Sequence, residues 1–331
     1  MKRIFLILVL AFLKTSNVFA SNVVDEQDWW TVCDNTRHCE AVGYQNEKSK
    51  SPEVSLFLSR DAGPATPLKG KISVETPDDT YPDSLTIKVG KIKIGGIDPQ
   101  ADISQSNMKK LIPLLLNASE AKISDGKKTW TLSLSGFKST LLKMDEHQGR
   151  FDTVGALVKK GAMPESSVFP ALPVPTLKKA KIHVPKKMDD ALLDPILDAI
   201  TDRSCWEDYP KGEDTDASIA RLSNSLVLVM RICGHSLYQA EYGVWIANDK
   251  KPYQPREVVF PDVDGTTNRV TNPSFEKGRM SSFAKWRADA GCGSGISWIW
   301  DGNKFAIEKA ILIPHCAELD GEIELRTWIS K

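Results

Sequence analysis

The sequence predicts a β-rich α+β protein in which two disulfide-stapled antiparallel β domains are joined by a Pro-rich linker. Three observations predict it: short segments of alternating apolar residues, a proline-dense stretch near the middle, and six cysteines in three sequence-neighbour pairs. We place a sandwich-like N-terminal domain at residues 21–162 and the linker at residues 163–187. The C-terminal domain, which opens with a helix, covers residues 188–331.

The first 20 residues predict a cleaved export signal. Lys2 and Arg3 precede an uninterrupted apolar run over residues 4–13, and small residues before Ser21 suit a cleavage site. Ten apolar residues are too few for a transmembrane helix, which needs about 20. The sequence therefore predicts a periplasmic protein without a transmembrane anchor.

Within the N-terminal domain, alternation predicts strands over residues 54–60, 71–75 and 85–89. The parity of the apolar residues changes at Gly90-Lys91, which indicates either a bulge or a tight reversal. Asp125-Gly126 predicts a two-residue hairpin turn between strands at 121–124 and 129–135. Helices are expected over residues 104–117, with Pro113 kinking or dividing the first, and over residues 136–147.

In the C-terminal domain an apolar stripe predicts a helix over residues 188–201, although Pro195 lies inside it. Strands are expected at residues 225–233, 238–247, 257–260, 281–287, 296–300, 305–313 and 323–329. The turn Asp301-Gly302 repeats the hairpin signal of the first domain.

The cysteines are interpreted as three disulfides between sequence neighbours: Cys33–Cys39, Cys205–Cys233 and Cys292–Cys316. Six cysteines allow 15 connectivities, so this pairing is a hypothesis. The alternative, a metal site formed by Cys33, His38 and Cys39, lacks the fourth ligand of a structural zinc site. No metal and no cofactor are expected.

Catalytic motifs are mostly missing. The sequence contains no zinc-protease helix motif, no nucleophile elbow, no phosphate-binding loop and no dinucleotide fingerprint. Gly291 to Gly295 resembles an oxyanion loop, but we interpret it as a glycine-rich turn beside an oxidised Cys292. The acids Asp145, Glu146 and Asp301 are the candidates for a hydrolase site.

Three further residues are candidates for binding. Trp298 and Trp300 are two positions apart, so they share one face of a strand as an aromatic platform or as core. Arg150 is interpreted either as an anion ligand or as a buried structural ion pair.

The charge balance argues against nucleic acid as a partner. The chain has 43 basic and 43 acidic residues, and loss of residues 1–20 removes three basic residues and no acid, which leaves a net charge of −3. Binding to a phosphate backbone usually needs a concentrated basic face. The short lysine groups are interpreted as solvated surface.

Several motifs resemble one exported family. These are residues 30–44 (WTVCDNTRHCEAVGY), 132–137 (LSLSGF), 144–150 (MDEHQGR), the Pro-rich linker and the Cys292 region with residues 298–302 (WIWDG). Together they resemble the proteobacterial six-cysteine family known as domain-of-unknown-function family 1176. The N-terminal half also resembles the β-sandwich domain of the invasion-associated locus B family. The resemblance implies an exported protein without an assigned activity.

Three functions remain open from the sequence. The first is a non-catalytic envelope protein that binds another envelope protein or a glycan. The second is an envelope hydrolase that uses scattered carboxylates. The third is a proteinaceous inhibitor of a lytic enzyme. The oligomeric state is not predicted.

Overall fold

The computed structural model describes residues 23–76, 80–202, 204–207, 217–288, 291–316 and 323–331. It confirms the predicted fold class, because antiparallel sheets dominate and the helices within those ranges are short. The predicted export signal, residues 1–20, lies outside the described residues. Within the same ranges, no helix is long and apolar enough to span a bilayer.

The N-terminal unit consists of two antiparallel sheets and two helices. The first sheet has the strand order β1-β2-β3-β4-β5, so each strand pairs with its sequence neighbour, and the second has the order β7-β6-β8-β9. The strands are Val23–Glu26 (β1), Trp29–Cys33 (β2), Cys39–Tyr44 (β3), Val54–Arg60 (β4), Lys69–Val74 (β5), Leu85–Val89 (β6), Ile92–Ile97 (β7), Glu120–Ser124 (β8) and Thr129–Ser133 (β9), and the helices are Gln105–Leu115 (α1) and Phe137–His147 (α2).

Glycines in the turns allow the two hairpins of the second sheet, β6–β7 and β8–β9, to form. Gly90 and Gly126 have φ angles of 57° and 93°, a region that favours glycine. The parity change at Gly90-Lys91 is therefore a tight reversal, because Val89 pairs with Ile92 across the β6–β7 turn. The predicted hairpin at Asp125-Gly126 is confirmed as β8–β9, but its loop spans residues 125–128, four residues instead of two, because Ser124 pairs with Thr129.

Both helices of this unit form close to their predicted positions. The Ser104 hydroxyl caps α1 by accepting the backbone N–H of Asn107 at 3.3 Å. Helix α1 continues through Pro113, so the proline does not divide it. Helix α2 begins after Gly136, whose φ is 94° and where a Cβ atom would lie 1.8 Å from the carbonyl oxygen of Glu26. Only glycine fits this close approach to β1.

The core of the N-terminal unit lies between its two sheets. Leu56 and Ile72 of the first sheet pack in one cluster with Ile87 and Ile123 of the second, and Leu141 of α2 closes the cluster. All five side chains are buried. Alternation places these residues inward on every strand, which produces a sandwich-like layer arrangement.

The C-terminal unit contains two larger sheets and a two-stranded ribbon. The orders are β10-β11-β12-β13, with β16 also paired to β12, then β14-β15, then β17-β18-β19-β20-β21. The elements are Leu193–Ala199 (α3), Ser204–Glu207 (α4), Ala217–Arg221 (β10), Leu226–His235 (β11), Ala240–Asn248 (β12), Arg256–Glu257 (β13), Phe260–Asp262 (β14), Gly265–Thr267 (β15), Arg269–Thr271 (β16), Ser274–Glu276 (β17), Arg279–Lys285 (β18), Gly293–Trp300 (β19), Phe305–Ile313 (β20) and Leu325–Ile329 (β21).

The predicted opening helix of this unit is shorter than expected. A 3-10 turn at Asp190–Leu192 precedes α3, and Pro195 is the third residue of α3. Proline is tolerated there because the first-turn N–H groups have no partner within the helix. Ile196 of α3 packs in a buried cluster with Val227 and Val229 of β11.

All three disulfides join sequence neighbours. Cys33 and Cys39 face each other across the β2–β3 pair. Cys205 of α4 is bonded to Cys233 of β11. The third bond links Cys292, just before β19, to Cys316, just after β20.

The proline-dense segment at 163–187 is bonded to both units. At its start, the backbone N–H of Leu172 donates to the carbonyl of Thr36 at 3.1 Å. Further along, the N–H of Leu177 donates to the carbonyl of Lys331 at 2.6 Å, and the N–H of Lys331 donates to the carbonyl of Pro175 at 2.8 Å. The segment therefore runs along the fold as a strap. The domain boundaries at 162 and 188 stay predictions.

Candidate binding surface at the interface between the two units

The two units meet through a small apolar core. Val32, Val42 and Tyr44 on the first sheet of the N-terminal unit cluster with Leu312 of β20 and Leu325 of β21. Their exposures range from 0% to 6%. Because this face of the first sheet is covered by the C-terminal unit, the interface is part of the folded structure.

A polar edge of this interface is built from the loop that the Cys33–Cys39 disulfide closes. The Asn35 side chain donates to the carbonyl of Ile329 at 3.0 Å and accepts its N–H at 2.9 Å. The buried Asp34 carboxylate accepts a bond from Nε of Arg326 at 2.7 Å, and Glu40 accepts the backbone N–H of Arg326 at 2.6 Å. The disulfide-closed loop thus holds strand β21.

His38 lies between two carboxylates at the same edge. Its Nδ1 is 2.7 Å from Oδ1 of Asp61, and its Nε2 is 3.1 Å from Oε1 of Glu40. Burial lowers the pKa of His38, but the hydrogen bond and charge of Glu40, together with the hydrogen bond to Asp61, outweigh burial and raise the pKa above its ordinary value. The protonated ring can donate to both acids.

The motif Gln148-Gly149-Arg150 has a structural role next to this loop. The amide of Gln148 donates to the carbonyls of Arg37 and Arg60, each at 2.9 Å. Arg150 is fully buried. Its guanidinium donates to Gln148 at 2.8 Å and to Thr66 at 2.6 Å, and it forms an ion pair with Glu165 at 3.4 Å. This geometry matches the buried ion pair and leaves no face of Arg150 for an external anion.

The carboxylates considered for hydrolysis do not form a pair. Asp145 is buried and accepts the backbone N–H groups of Leu157 at 2.7 Å and Val158 at 3.1 Å. Glu146 points to solvent and pairs with a lysine, whereas Asp301 accepts backbone N–H groups inside the β19–β20 turn. Each of these acids has a local structural partner.

Trp298 and Trp300 are core residues. Each is 1% exposed, and both rings pack against Phe260 or Phe305 between the two large sheets of the C-terminal unit. The indole N–H of Trp298 donates to the carbonyl of Pro261 at 2.6 Å. A ligand platform needs exposed ring faces, so these two residues do not form one. Alternation predicted their shared face, but that face packs inward.

A different tryptophan is exposed at the interface. Trp286, which follows β18, is 42% exposed, and its ring centroid lies 5.5 Å from that of Trp30 on β2. The hydroxyl of Tyr238, itself 40% exposed, donates to the carbonyl of Trp286 at 3.3 Å. Leu237, beside it in the β11–β12 turn, is fully exposed. We call Trp30, Leu237, Tyr238 and Trp286 the aromatic surface.

The β11–β12 turn is fixed against β18. The side chain of Gln239 donates to the carbonyl of Lys285 at 2.9 Å and accepts the N–H of Lys285 at 2.6 Å. These bonds hold the turn that carries Leu237 and Tyr238 against the end of β18, directly before Trp286. Sequence reasoning did not identify this surface, because its residues come from two units and no local pattern connects them.

A polar cleft of about 690 Å³ lies near β21. Its charged side chains are already paired: Arg279 with Glu308 at 2.6 Å, and Arg326 with Asp34 at 2.7 Å. The cleft therefore presents neutralised charges, and the aromatic surface is the better candidate for binding.

Fold and surface together define a disulfide-bonded protein of two β-rich units with an exposed aromatic surface at their interface. The chain belongs to the family described as "Protein of unknown function (DUF1176)", whose model matches residues 25–331. It is similar to the uncharacterized protein YpfG of Escherichia coli strain K12, with 27% identity over 356 aligned positions that cover 99% of each chain. No solved structure matches.

Proposed function

We propose that this chain is an exported, non-catalytic binding protein of the periplasm that holds a partner protein through the aromatic surface. The observation that carries the proposal is the exposure of Trp286 and Tyr238, joined by a hydrogen bond at the interface between the units, with the fully exposed Leu237 next to Tyr238 in the chain. Contiguous exposed apolar residues mark interaction sites, and tryptophan and tyrosine dominate the binding energy of protein interfaces.

The composition of this surface favours a protein over a glycan. Leu237 is an aliphatic side chain that is fully exposed, and it gains by burying apolar area against another apolar side chain. The surrounding backbone is held by the Gln239–Lys285 bonds, so little ordering accompanies binding.

Export is supported by the predicted signal and by the three disulfides. Disulfides persist in oxidising compartments such as the periplasm and are rare in the cytosol. A non-catalytic role is supported by the structural engagement of Asp145, Asp301 and Arg150.

The test is affinity capture from an envelope extract with the purified, oxidised protein, in which retained proteins and peptidoglycan fragments are scored separately. Wild type is compared with the double variant Leu237→Ser, Trp286→Ala and with Val184→Ser, a control that removes an equally apolar and 84% exposed side chain elsewhere. The proposal requires a protein that wild type and control retain and the double variant does not.

The retained protein is then purified and titrated. Loss of one interface hot spot typically weakens binding about thirtyfold or more. Equal affinity for wild type and the double variant would refute the aromatic surface as the binding site. Retention of glycan alone would refute the protein partner.

A further inference from the structure

Strand β1 forms an open edge of the first sheet. It pairs with β2 on one side only. Glu26 and Trp29 flank the two-residue turn between these strands, so they are a hydrogen-bonded pair, and along β1 the backbone groups of successive residues alternate in direction. The N–H and C=O groups of Val23 and Asp25 therefore point away from the sheet. Among the described residues, no hydrogen bond reaches these outward groups.

Other sheet edges of this protein are closed by side chains. On the edge strand β21, the Asn35 amide bonds both backbone groups of Ile329. On the edge strand β9, the N–H of Thr131 donates to the hydroxyl of Ser51 at 2.8 Å. A strand whose backbone groups stay unpaired is a template for a strand of another chain. The outward groups of β1 are therefore suited to an extended segment from outside.

This open edge adjoins the aromatic surface. Asp25 is directly opposite Trp30 of β2, and the ring centroid of Trp30 lies 5.5 Å from that of Trp286. Directly opposite side chains share one face of a sheet, so the exposed side chain of Asp25 lies next to the aromatic surface. A strand added outside β1 would place every second side chain on that same face. Backbone pairing, a carboxylate and exposed rings are thus offered to one segment.

We propose that the partner protein adds an extended segment to β1 as a sixth strand of the first sheet, with a basic side chain opposite Asp25 and apolar side chains on the face that carries the aromatic surface. This inference rests on the proposed function, because it gives the form of the partner that the aromatic surface binds. Main-chain hydrogen bonds to Val23 and Asp25 supply affinity, and the side chains that neighbour Asp25 and Trp30 supply selectivity.

The probe is a synthetic peptide, acetyl-Thr-Val-Thr-Lys-Thr-Leu-Thr-amide, which as a strand places valine, lysine and leucine on one face. Binding to the oxidised, full-length protein is followed by tryptophan fluorescence, because the peptide contains no aromatic residue. Strand β1 has only four residues, so the titration extends to millimolar peptide. We expect the peptide to bind wild type.

Backbone methylation of the peptide tests the hydrogen bonds. Methyl groups on the valine, lysine and leucine nitrogens remove the N–H donors from the edge that faces β1, and binding should weaken about tenfold or more. Methyl groups on three threonine nitrogens lie on the opposite edge and should leave binding unchanged. Equal losses from the two methylated peptides would refute pairing through the backbone.

Asp25→Pro is the corresponding change in the protein. Proline removes the outward N–H, and edge strands tolerate proline where the N–H faces solvent, so the midpoint of thermal unfolding should stay close to that of wild type. Binding of the peptide should weaken about tenfold or more. Lys93→Pro is the matched control, because β7 is an edge strand of the second sheet and alternation likewise directs the N–H of Lys93 outward. It should bind like wild type.

Charge reversal tests the position of Asp25. Asp25→Lys should bind the lysine peptide more weakly than wild type does, and it should prefer a peptide in which glutamate replaces the lysine. A loss of fold would weaken binding of both peptides, so the exchange of preference reports the charge at this position.

The proposal is overturned if the peptide does not bind wild type, if Asp25→Pro binds it as wild type does, or if Asp25→Pro and Lys93→Pro lose the same affinity. Asp25→Pro also enters the capture experiment on the aromatic surface. A protein that Asp25→Pro retains and Leu237→Ser, Trp286→Ala does not would refute the added strand and leave the proposed function standing. Peptide binding that Asp25→Pro abolishes, together with no retained protein, would support the added strand and count against the proposed function.

Discussion

Asn35 and Ile329 are 294 positions apart and bind each other as neighbouring β-strands do. The side-chain amide of Asn35 donates to the carbonyl of Ile329 and accepts its N–H, at 3.0 and 2.9 Å. A single side chain thus imitates the backbone of an additional strand beside β21. The Cys33–Cys39 disulfide fixes the loop that presents it.

Asn35→Ala should therefore weaken the contact between the two units. Loss of the amide leaves both polar groups of Ile329 without their partner, which costs about 1–3 kcal/mol of unfolding free energy. Urea denaturation measures the change. Asn303→Ala, at an exposed turn position, should stay within about 0.5 kcal/mol of wild type. Equal effects of the two substitutions would contradict the role of Asn35.

Stability should carry a pH dependence that originates from His38. Its folded-state pKa is raised above the ordinary value of about 6.5, so its protonated form stabilises the fold. That contribution is complete below the unfolded pKa and is lost as the pH rises through the folded pKa. The facing groups are Asp61, Glu40 and Arg326.

The measurement is the difference in unfolding free energy between wild type and His38→Gln, followed from a pH below about 6.5 to a pH above the folded-state pKa of His38. The difference should fall as the pH rises. Burial lowers the pKa values of His147 and His315, so these histidines act in the opposite sense, but they are present in both proteins and cancel. A difference that does not vary with pH would show that the carboxylates do not act on His38.

Arg150→Lys should destabilise the N-terminal unit by about 2–4 kcal/mol. Lysine keeps the positive charge but cannot reach Gln148, Thr66 and the carbonyl of Gly63 at once, as the guanidinium does. Thermal unfolding reports the loss. Sulfate stabilises folded proteins in general, so it should raise the stability of wild type and variant equally, because Arg150 is buried. A larger rise in wild type than in the variant would restore the anion-ligand interpretation.

The two classes of tryptophan should respond differently to truncation. Trp298→Ala removes a fully buried indole and should cost about 3–5 kcal/mol. Trp286→Ala removes an exposed ring and should cost about 1 kcal/mol or less. Chemical denaturation of both variants gives the comparison. Similar losses would mean that Trp286 is needed for folding and would weaken its assignment to binding.

Reduction should destabilise the C-terminal unit more than the N-terminal unit. In the loop-entropy model, the Cys33–Cys39 bond contributes about 2 kcal/mol and each longer loop about 3.5 kcal/mol. The pair Cys205→Ser, Cys233→Ser should therefore lower stability more than Cys33→Ser, Cys39→Ser. Denaturation of the two double variants, with their remaining disulfides oxidised, measures the two losses of stability. If the Cys33→Ser, Cys39→Ser variant lost more, the hydrogen bonds from the small disulfide-closed loop to β21 would contribute more to stability than the difference in loop length does.

Local signals predicted much of the fold and little of the site. The β8–β9 hairpin follows from Asp125-Gly126, although its loop has four residues instead of the predicted two, with the Asp125 carboxylate accepting the N–H groups of Lys127 and Lys128. The shared face of Trp298 and Trp300 follows from strand alternation. Whether that face is core or surface depends on the sheet packed against it, which alternation does not encode.

The contacts that define the interface have no local signature. Trp30 meets Trp286, and Asn35 meets Ile329, across hundreds of residues, and neither pair belongs to a periodic pattern. Lys88 and Lys122 likewise become neighbours only after β6 and β8 pair, with β7 and α1 between them in the chain. Such contacts form only when segments distant in sequence are brought together by the folded chain, so local sequence patterns do not predict them.

The position of β21 has a consequence for biogenesis. A chain synthesised from its amino end produces Val32 and Val42 long before Leu325. Until residues 325–331 emerge, that apolar face of the first sheet lacks part of its cover, and Asn35 has no strand to bind. Completion of the N-terminal unit's outer face therefore waits for residues made nearly 300 positions later, and a chain that stops short of β21 would carry an uncovered apolar face.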